Sequence, residues 1–235
     1  MVIILPISLL LAAQTSERSI QDFVQTDLKD LSVTAKVASY DVRELKKIKK
    51  DYATNYSFEK SNVLFKDPFK LRVDSTVEDT TVSITFNGPF LRIKAPGIST
   101  REDITNEPSR RETALDFGLL IPSLFSGFFN AKFVRMDRET GDPVFDITYA
   151  DKTESARYRV WVDPVRKITT KREWYNRYGT QIATFYYEHP QQVNGVWVPT
   201  TITVRNVDNK VAGSTRYEGL KINAGMSDAL FSTGR

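Results

Sequence analysis

Apolar and polar residues alternate with a period of two through residues 157–204, which is typical of strands that bury one face. The first run places Tyr158, Val160 and Val162 on the same side. Turn-forming residues interrupt the pattern at three places, Asp163-Pro164, Asn176 to Gly179 and Asn194-Gly195. The stretch therefore predicts four consecutive antiparallel strands whose apolar face must be covered by another part of the chain.

The same alternation predicts further strands on both sides of this stretch. They are expected at residues 32–42, 56–65, 69–75, 81–86, 90–95, 131–137, 144–150 and 211–222. Short turns join most of them, so the pattern indicates an up-and-down sheet. Residues 98–113 are polar and are expected to form a connection, whereas residues 43–55 fit either a strand continuation or a charged helical turn.

Two segments break the period of two and are candidates to cover the sheet. Residues 16–31 carry apolar side chains at helical spacing after Ser16, a plausible N-cap, and predict an amphipathic helix of about four turns. Residues 115–129 are apolar on most sides, and Pro122 and Gly127 divide them into a helix of about two turns and a second short helix or turn. The second segment is either ordinary core or the lid of a cavity for an apolar ligand.

The N-terminal residues 2–13 form an apolar run that is too short to span a membrane as a helix. The run fits the apolar region of a secretory signal peptide, with a cleavage zone near Ala12-Ala13-Gln14. A buried strand at the mature N-terminus is the alternative. We therefore expect a signal peptide at residues 1–15 and a single domain at residues 16–235, located in the periplasm.

The amino-acid composition narrows the range of functions that the chain can have. The chain has 235 residues, 40% of them hydrophobic, which is enough for one large domain. The formal net charge is +4, and basic residues mostly interleave with acidic ones, so we expect no nucleic-acid partner. The one dense basic cluster, residues 46–50, fits a solvated face or a weak anion site.

The content of reactive side chains argues against an enzyme. There is no cysteine and only one histidine, His189, so we expect no metal site and no cofactor. A serine nucleophile would have to use that histidine, and no GxSxG pattern is present. A pair of carboxylates drawn from distant strands remains open as a catalytic alternative.

Several local motifs, in this order and spacing, resemble the LolA/LolB-like superfamily of outer-membrane lipoprotein carriers. They are VLFKDPFKLRV at 63–73, ITFNGPFLRIKAPG at 84–97, VWVDPVRKITTKREWYNRYG at 160–179, NGVWVPTTITV at 194–204 and LKINAGMSDALF at 220–231. The resemblance implies a mainly β fold, in which a strongly curved open antiparallel sheet forms a half-barrel. The N-terminal helix and the interrupted apolar helix would cover its concave face.

The resemblance also implies a function. Members of this superfamily carry lipoprotein acyl chains or other apolar ligands without catalysis, and each buried methylene contributes about 0.8 kcal/mol. The chain is then expected to be a monomeric carrier of a lipid or lipoprotein acyl chain, with envelope proteins of the inner or outer membrane as possible partners. The candidate cavity and lid residues are Phe117, Leu119, Leu120, Leu124, Phe125, Phe128 and Phe129.

One position departs from the family pattern. In the lipoprotein chaperone, an arginine before the proline motif that follows the second strand pins the lid, and here Asp67 occupies that position. Arg72, on the following strand, is the candidate for the pinning role. The alternative to a carrier is an envelope scaffold or binding module that uses its sheet surface without a lipid ligand.

Overall fold

The computed structural model describes residues 18–58, 60–77 and 80–234. The predicted signal peptide, residues 1–15, lies outside the described residues and stays a prediction. In the part of the chain that is described, no helix is both long and apolar enough to cross a membrane.

The described residues are mainly β-structure, as predicted. They form fifteen strands: β1 (Asp30–Tyr40), β2 (Lys60–Lys66), β3 (Lys70–Val77), β4 (Thr80–Asn87), β5 (Phe90–Ala95), β6 (Ile98–Asp103), β7 (Phe129–Met136), β8 (Pro143–Tyr149), β9 (Arg157–Asp163), β10 (Ile168–Tyr175), β11 (Gln181–Glu188), β12 (Gln191–Val193), β13 (Val196–Val198), β14 (Thr201–Asn206) and β15 (Val211–Ile222). Thirteen of them make one antiparallel sheet in the order β6-β5-β4-β3-β2-β1-β15-β14-β11-β10-β9-β8-β7, and β12 pairs with β13 as a separate hairpin.

The predicted meander is present as the neighbouring strands β9, β10, β11 and β14. Its turns form for the expected reasons. The Asp163 carboxylate accepts the backbone N–H groups of Val165 and Arg166, each at 2.8 Å, and Gly179 closes the next turn with a φ of 77°. The prediction that the last run forms one strand is wrong, because the run is divided between β13 and β14. Pro199 lies at the break and has no N–H to donate to a ladder.

The predicted up-and-down order fails at the centre of the sheet. The first strand, β1, pairs with β2 on one side and with the last strand, β15, on the other. The chain therefore leaves the sheet at one edge, β6, and returns at the opposite edge, β7. Strand β6 itself was predicted to be a polar connection. It is an edge strand exposed along nearly its whole length, so its sequence carries no apolar alternation.

The sheet is open, and it is not curled strongly enough to form the half-barrel that the family resemblance implied. Closure would require the two edges to meet, whereas β6 pairs with β5 and β7 pairs with β8. The antiparallel, open part of the prediction is confirmed.

The predicted N-terminal helix is wrong for residues 18–31. This segment contains one 3₁₀ turn, Ile20–Phe23, and no further helical turn before β1 begins at Asp30. The backbone N–H of Gln25 donates to the carbonyl of Leu120 at 2.8 Å, and its side chain exchanges two hydrogen bonds with the backbone of Trp197. The Gln25 N–H is thus used in a tertiary bond and not in a helical one, although the apolar residues have helical spacing.

The ambiguous segment 43–55 is helical. Helix α1 (Val42–Ile48) begins at Asp41, whose carboxylate accepts the N–H groups of Arg43 and Glu44 as an N-cap. A 3₁₀ turn, Tyr52–Tyr56, follows. Leu45 and Ile48 of α1 are buried against β11, β14 and β15.

Residues 104–128, here called the crossing segment, connect the two edges across one face of the sheet. Two 3₁₀ turns, Ala114–Phe117 and Pro122–Phe125, replace the predicted helix of two turns. Residues from this segment and from both halves of the sheet form one buried cluster, and a second cluster lies between α1 and the sheet. The segment is attached to the sheet at Gly118, whose carbonyl accepts the N–H of Thr169 at 2.8 Å.

At Gly118 the crossing segment lies directly against the side chain of Tyr187. The φ of Gly118 is 75°, and a Cβ at this position would lie 2.6 Å from Cδ1 of the buried Tyr187. We therefore expect Gly118→Ala to lower the free energy of unfolding by ~2–4 kcal/mol, through left-handed strain and overpacking together. Urea denaturation measures the loss. Gly179→Ala is the control, because its φ of 77° imposes the same strain with no atom within 4 Å of the new Cβ. Equal losses in the two variants would contradict the close contact.

Candidate functional site

A pocket of about 470 Å³ opens on the face of the sheet that carries the crossing segment. Its floor comes from β9, β10, β11, β14 and β15. Arg172 is paired in register with Phe185, and Ile202 with Thr215, so these side chains point to the same face. Its walls are the crossing segment on one side and residues 49–56 on the other. The pocket therefore lies where two helical connections leave part of the sheet uncovered.

The lining combines seven charged residues with seven aromatic ones. The aromatic residues are Tyr52, Tyr56, Phe117, Tyr158, Trp174, Phe185 and Tyr217. The Tyr52 ring lies 6.4 Å from the rings of both Tyr56 and Trp174, centroid to centroid, and Phe117 and Tyr217 lie 5.9 Å apart. Burial raises the pKa of Tyr56 to about 12, with Thr215 opposing it, and burial also raises the pKa of Tyr217. The phenols are therefore uncharged at neutral pH.

Gly213 on β15 makes room for one of these rings. A Cβ at this position would lie 2.5 Å from Cε1 of Tyr56. The glycine thus lets the 3₁₀ turn Tyr52–Tyr56 settle directly on the sheet and form the outer wall of the pocket.

The one cation in the floor is Arg172, whose side chain is 5% exposed. Its Nη1 donates to Oδ1 of Asp116 in the crossing segment at 2.8 Å. The guanidinium carbon lies 4.4 Å from the ring centroid of Phe185 and 5.0 Å from that of Tyr158. The charge is thus paired and stacked, while its Nε is buried with no acceptor in the described residues.

Asp116 also caps the 3₁₀ turn that forms one wall of the pocket. Its Oδ2 accepts the backbone N–H of Thr113 at 2.8 Å, and the Thr113 hydroxyl also donates to it, as part of a capping box that fixes the 3₁₀ turn Ala114–Phe117. The hydroxyl of Tyr187 donates to the carbonyl of Leu115 at 3.3 Å. These bonds hold the wall of the pocket at a fixed height above the floor.

Glu112 stands immediately before this turn and also lines the pocket. As a residue it is exposed, because it faces the open pocket, but its carboxyl group is surrounded by protein. Burial and then the neighbouring carboxylate of Asp116 raise the pKa of Glu112 to about 7. The pocket therefore contains an acid that changes its charge near neutral pH. Elsewhere, no group of three or more His, Asp or Glu in the described ranges could hold a metal.

Comparison of the chain with solved structures identifies its fold. A LolA superfamily protein from Nitrosomonas europaea has a TM-score of 0.60 at 18% identity, over 91% of this chain and 94% of that chain. A putative outer membrane lipoprotein-sorting protein domain from Vibrio parahaemolyticus has a TM-score of 0.53 at 14% identity, over 91% and 93%. The chain has the LolA fold.

Three further comparisons concern another solved structure, a family model and the curated proteins. A DUF1329 family protein from Desulfovibrio piger has a TM-score of 0.59 at 12% identity, covering 91% of this chain and 92% of that chain. Residues 125–235 match a family described as "-like: Uncharacterized protein". No curated protein matches the sequence.

The structure separates the seven apolar residues that the sequence suggested for a cavity. Phe117 lines the pocket. The other six are directed into the core of the LolA fold, where four are at most 4% exposed and two are half-buried: Leu119, Leu120, Leu124 and Phe129, then Phe125 and Phe128. Phe128 packs against Phe69 and Phe129, with ring centroids 5.0 and 4.6 Å apart. Ligand contact by these six residues stays a prediction.

Arg72 is on the other face of the sheet. It follows the core residue Leu71 on β3, and successive strand residues face opposite sides. Its Nε donates to both carboxylate oxygens of Asp74 at 3.0 Å, and its Nη1 donates to the carbonyl of Leu230 at 3.2 Å. Arg72 therefore fixes the C-terminal turn. Asp67, the residue that departs from the family pattern, accepts a hydrogen bond from Ser123 and so ties down the crossing segment.

The sequence did not single out Arg172, Asp116 or Glu112. Arg172 stands in the charged triplet Lys171-Arg172-Glu173, which fits a solvated strand. One signal was available, because Arg172 lies two positions from Trp174 and two-residue spacing places both on one face of a strand. Its partner in the crossing segment could not be inferred from spacing.

We expect Asp116→Asn to lower the free energy of unfolding by ~2–3 kcal/mol, because it leaves the buried Arg172 guanidinium without a counter-charge. Urea denaturation at pH 7 tests this. Glu102→Gln is the control. It breaks a pair with Arg110 in which both side chains are about 40% exposed, so it should cost less than ~1 kcal/mol. Equal effects of the two changes would contradict the assigned role of Asp116.

Glu112 should make stability depend on pH. Its pKa in the folded protein, about 7, lies above its ordinary value of 4.5, so folding favours the neutral acid. The stability that this acid contributes is fully present below pH 4.5 and is lost as the pH rises through 7. We therefore expect Glu112→Gln to raise the melting temperature relative to the original protein at pH 8 and to leave it nearly unchanged at pH 4. Thermal denaturation followed by circular dichroism at both pH values measures the difference, and an equal shift at both would contradict the raised pKa.

Proposed function

We propose that this protein is a non-catalytic carrier that holds one amphipathic, lipid-like ligand in the pocket between the sheet and the crossing segment. The observation that carries the proposal is the pocket itself. At about 470 Å³ it falls within the range of small-molecule sites, and it lies under the connection that spans the open sheet of a LolA fold.

The lining suits a ligand with an apolar chain and a polar end. Ring faces such as those of Phe117, Trp174 and Phe185 offer apolar contact, and each methylene that leaves water contributes about 0.8 kcal/mol. Tyrosine hydroxyls and Glu112 supply polar contacts at fixed positions. This combination differs from the fully apolar cavity that the sequence suggested.

Delivery of lipid or lipoprotein between envelope partners is part of the same proposal. One solved structure of the same fold is described as a putative outer membrane lipoprotein-sorting protein domain. A periplasmic location, with residues 1–15 as a signal peptide, fits such a role, and we propose that the mature protein works there as a monomer.

The second candidate is an envelope scaffold that binds a partner through its sheet and carries no lipid. One observation favours it, because Leu119, Leu120 and Leu124 are at most 1% exposed and the core around them is filled by the protein's own side chains. The two candidates differ in whether the pocket holds a ligand.

Native mass spectrometry with lipid extraction, on protein purified from its own envelope fraction, distinguishes them. A carrier should co-purify with a lipid or acylated peptide in fixed stoichiometry. A clean mass without ligand, and no uptake of added lipid, would support the scaffold.

A matched pair of variants locates the ligand. Thr215 lines the pocket, and its neighbour Ser214 on β15 points to the opposite face. We expect Thr215→Trp to fill the pocket and to abolish lipid co-purification, whereas Ser214→Trp should bind lipid as the original protein does. Trp is tolerated in strands, and circular dichroism confirms that both variants fold. Unchanged lipid content in Thr215→Trp would place the ligand elsewhere.

A further inference from the structure

The dense basic cluster at residues 46–50 lies beside the pocket. Leu45 and Ile48, on the buried side of α1, belong to one apolar cluster with Phe185 and Ile202, which line the pocket floor. The helix is therefore on the same face of the sheet as the pocket mouth. The lysines of the basic cluster are exposed, so they point away from the sheet, in the direction in which the pocket opens.

The carboxylates in this part of the chain do not neutralise all of its cations. Residues 41–51 contain five cations and three carboxylates. Asp41 is occupied as the N-cap of α1. Glu44 lies 2.9 Å from Lys47, and Lys49 lies 3.5 Å from the third carboxylate. The segment therefore keeps an excess of positive charge on its outer surface.

Three cations carry this excess. Lys46 and Lys50 form no ion pair with any described residue. Arg43 lies 3.8 Å from Asp41, and the arginine side chain is 88% exposed, so this contact is weak. Arg43 and Lys46 are neighbours on the surface of α1, three positions apart, and Lys50 follows the end of the helix.

The turn between β14 and β15 lies against α1 and extends the same surface. Nδ2 of Asn206 donates to Oε2 of Glu44 at 2.5 Å, and Lys47 lies 2.8 Å from Asp208. Lys210, in the same turn, is exposed and forms no ion pair within the described part of the chain. It adds a fourth cation to those of the helical segment.

Exposed apolar side chains border these cations. Tyr40, Val42, Val207 and Val211 are between 42% and 53% exposed. The Tyr40 ring lies 6.2 Å from that of Tyr56, which lines the pocket, so the apolar border reaches the pocket wall. Exposed apolar residues rimmed by basic ones are typical of a surface that enters the interface of a membrane.

These eight residues are here called the basic patch: Tyr40, Val42, Arg43, Lys46, Lys50, Val207, Lys210 and Val211. We propose that the basic patch docks the protein on an anionic lipid bilayer, with the pocket mouth turned toward the membrane surface. Its cations would meet the head groups, and its apolar side chains would enter the interface between head groups and acyl chains. The inference goes beyond the proposed carrier function, because docking does not require a ligand in the pocket.

An acidic protein surface has the same charge complementarity and is the other candidate occupant. The four exposed apolar side chains favour the bilayer, because they lie among unpaired cations and not in an apolar centre with a polar rim. The test below separates the two occupants.

Co-sedimentation of the mature protein with large vesicles tests the docking. One set of vesicles contains equal amounts of phosphatidylcholine and phosphatidylglycerol, and the other contains phosphatidylcholine alone. We expect the protein to bind the anionic vesicles and to bind the neutral ones much more weakly. Added salt should weaken binding to the anionic vesicles, because it screens their surface potential.

A triple variant, Arg43→Gln with Lys46→Gln and Lys50→Gln, locates the surface. Each basic residue near an anionic membrane contributes about fivefold to the partition coefficient, so we expect the variant to bind the anionic vesicles about a hundredfold more weakly. Glutamine has nearly the helix propensity of lysine and arginine, so α1 should be retained. Circular dichroism checks that the variant is folded.

The matched control removes three exposed cations from the opposite face of the sheet, as Lys94→Gln with Lys132→Gln and Lys221→Gln. Each of these lysines is next in sequence to an apolar residue of the core, so its side chain points to the other side. The control has the same net charge as the first variant and should bind the anionic vesicles nearly as the original protein does.

Three results would overturn the inference. They are unchanged binding by the first triple variant, equal loss in both variants, and equal binding of neutral and anionic vesicles by the original protein. Binding of poly-L-glutamate without binding of vesicles would also reject the bilayer and assign the patch to an acidic protein.

Native mass spectrometry keeps this test separate from that of the carrier function. We expect the first triple variant to take up added lipid as the original protein does, since Arg43, Lys46 and Lys50 do not line the pocket. Lipid uptake without vesicle binding by the original protein would reject docking alone. Vesicle binding without lipid uptake would reject the carrier function alone.

Discussion

The pairing of β1 with β15 decides how the rest of the molecule is built. Because the first and last strands meet at the centre, the strands that precede and follow the crossing segment lie at opposite edges of a thirteen-stranded sheet. The chain must therefore travel the full width of the sheet between them. The crossing segment covers one face of the sheet, so that its own apolar side chains and those of that face are buried together. It leaves a pocket where it passes the helical segment after β1.

The crossing segment can do this with little regular structure because side chains satisfy its backbone. Asp116 caps one 3₁₀ turn and binds Arg172 in the sheet, Gly118 permits contact with Tyr187, and Ser123 is held by Asp67. The wall of the pocket is thus fixed by polar contacts, whereas the core beneath it is apolar. This arrangement places a titratable acid, Glu112, at the boundary between the two.

Sequence patterns predicted most of the sheet because a strand with one buried face shows a period of two, and turns at Asp163 and Gly179 have specific chemistry. Strand β6 was missed because it is exposed on both faces and so lacks that period. The segment after Ile20 was misassigned because its buried residues, Phe23, Val24 and Leu28, keep helical spacing although the backbone beyond the 3₁₀ turn is not helical. Arg172 was unpredictable, since its partner is 56 positions away and only the tertiary fold brings them together.

The central seam between β1 and β15 also has a consequence for folding. Strands β1 to β6 and β7 to β11 pair mainly with sequence neighbours, so each half can assemble from hairpins. Joining the halves requires Leu31 to find Ile222, which are at opposite ends of the described chain. Contacts of such long range are slow to form. The two halves therefore remain unjoined until β15 has been synthesised, and any chain truncated before β15 keeps an open edge at its centre, where a second truncated chain can pair.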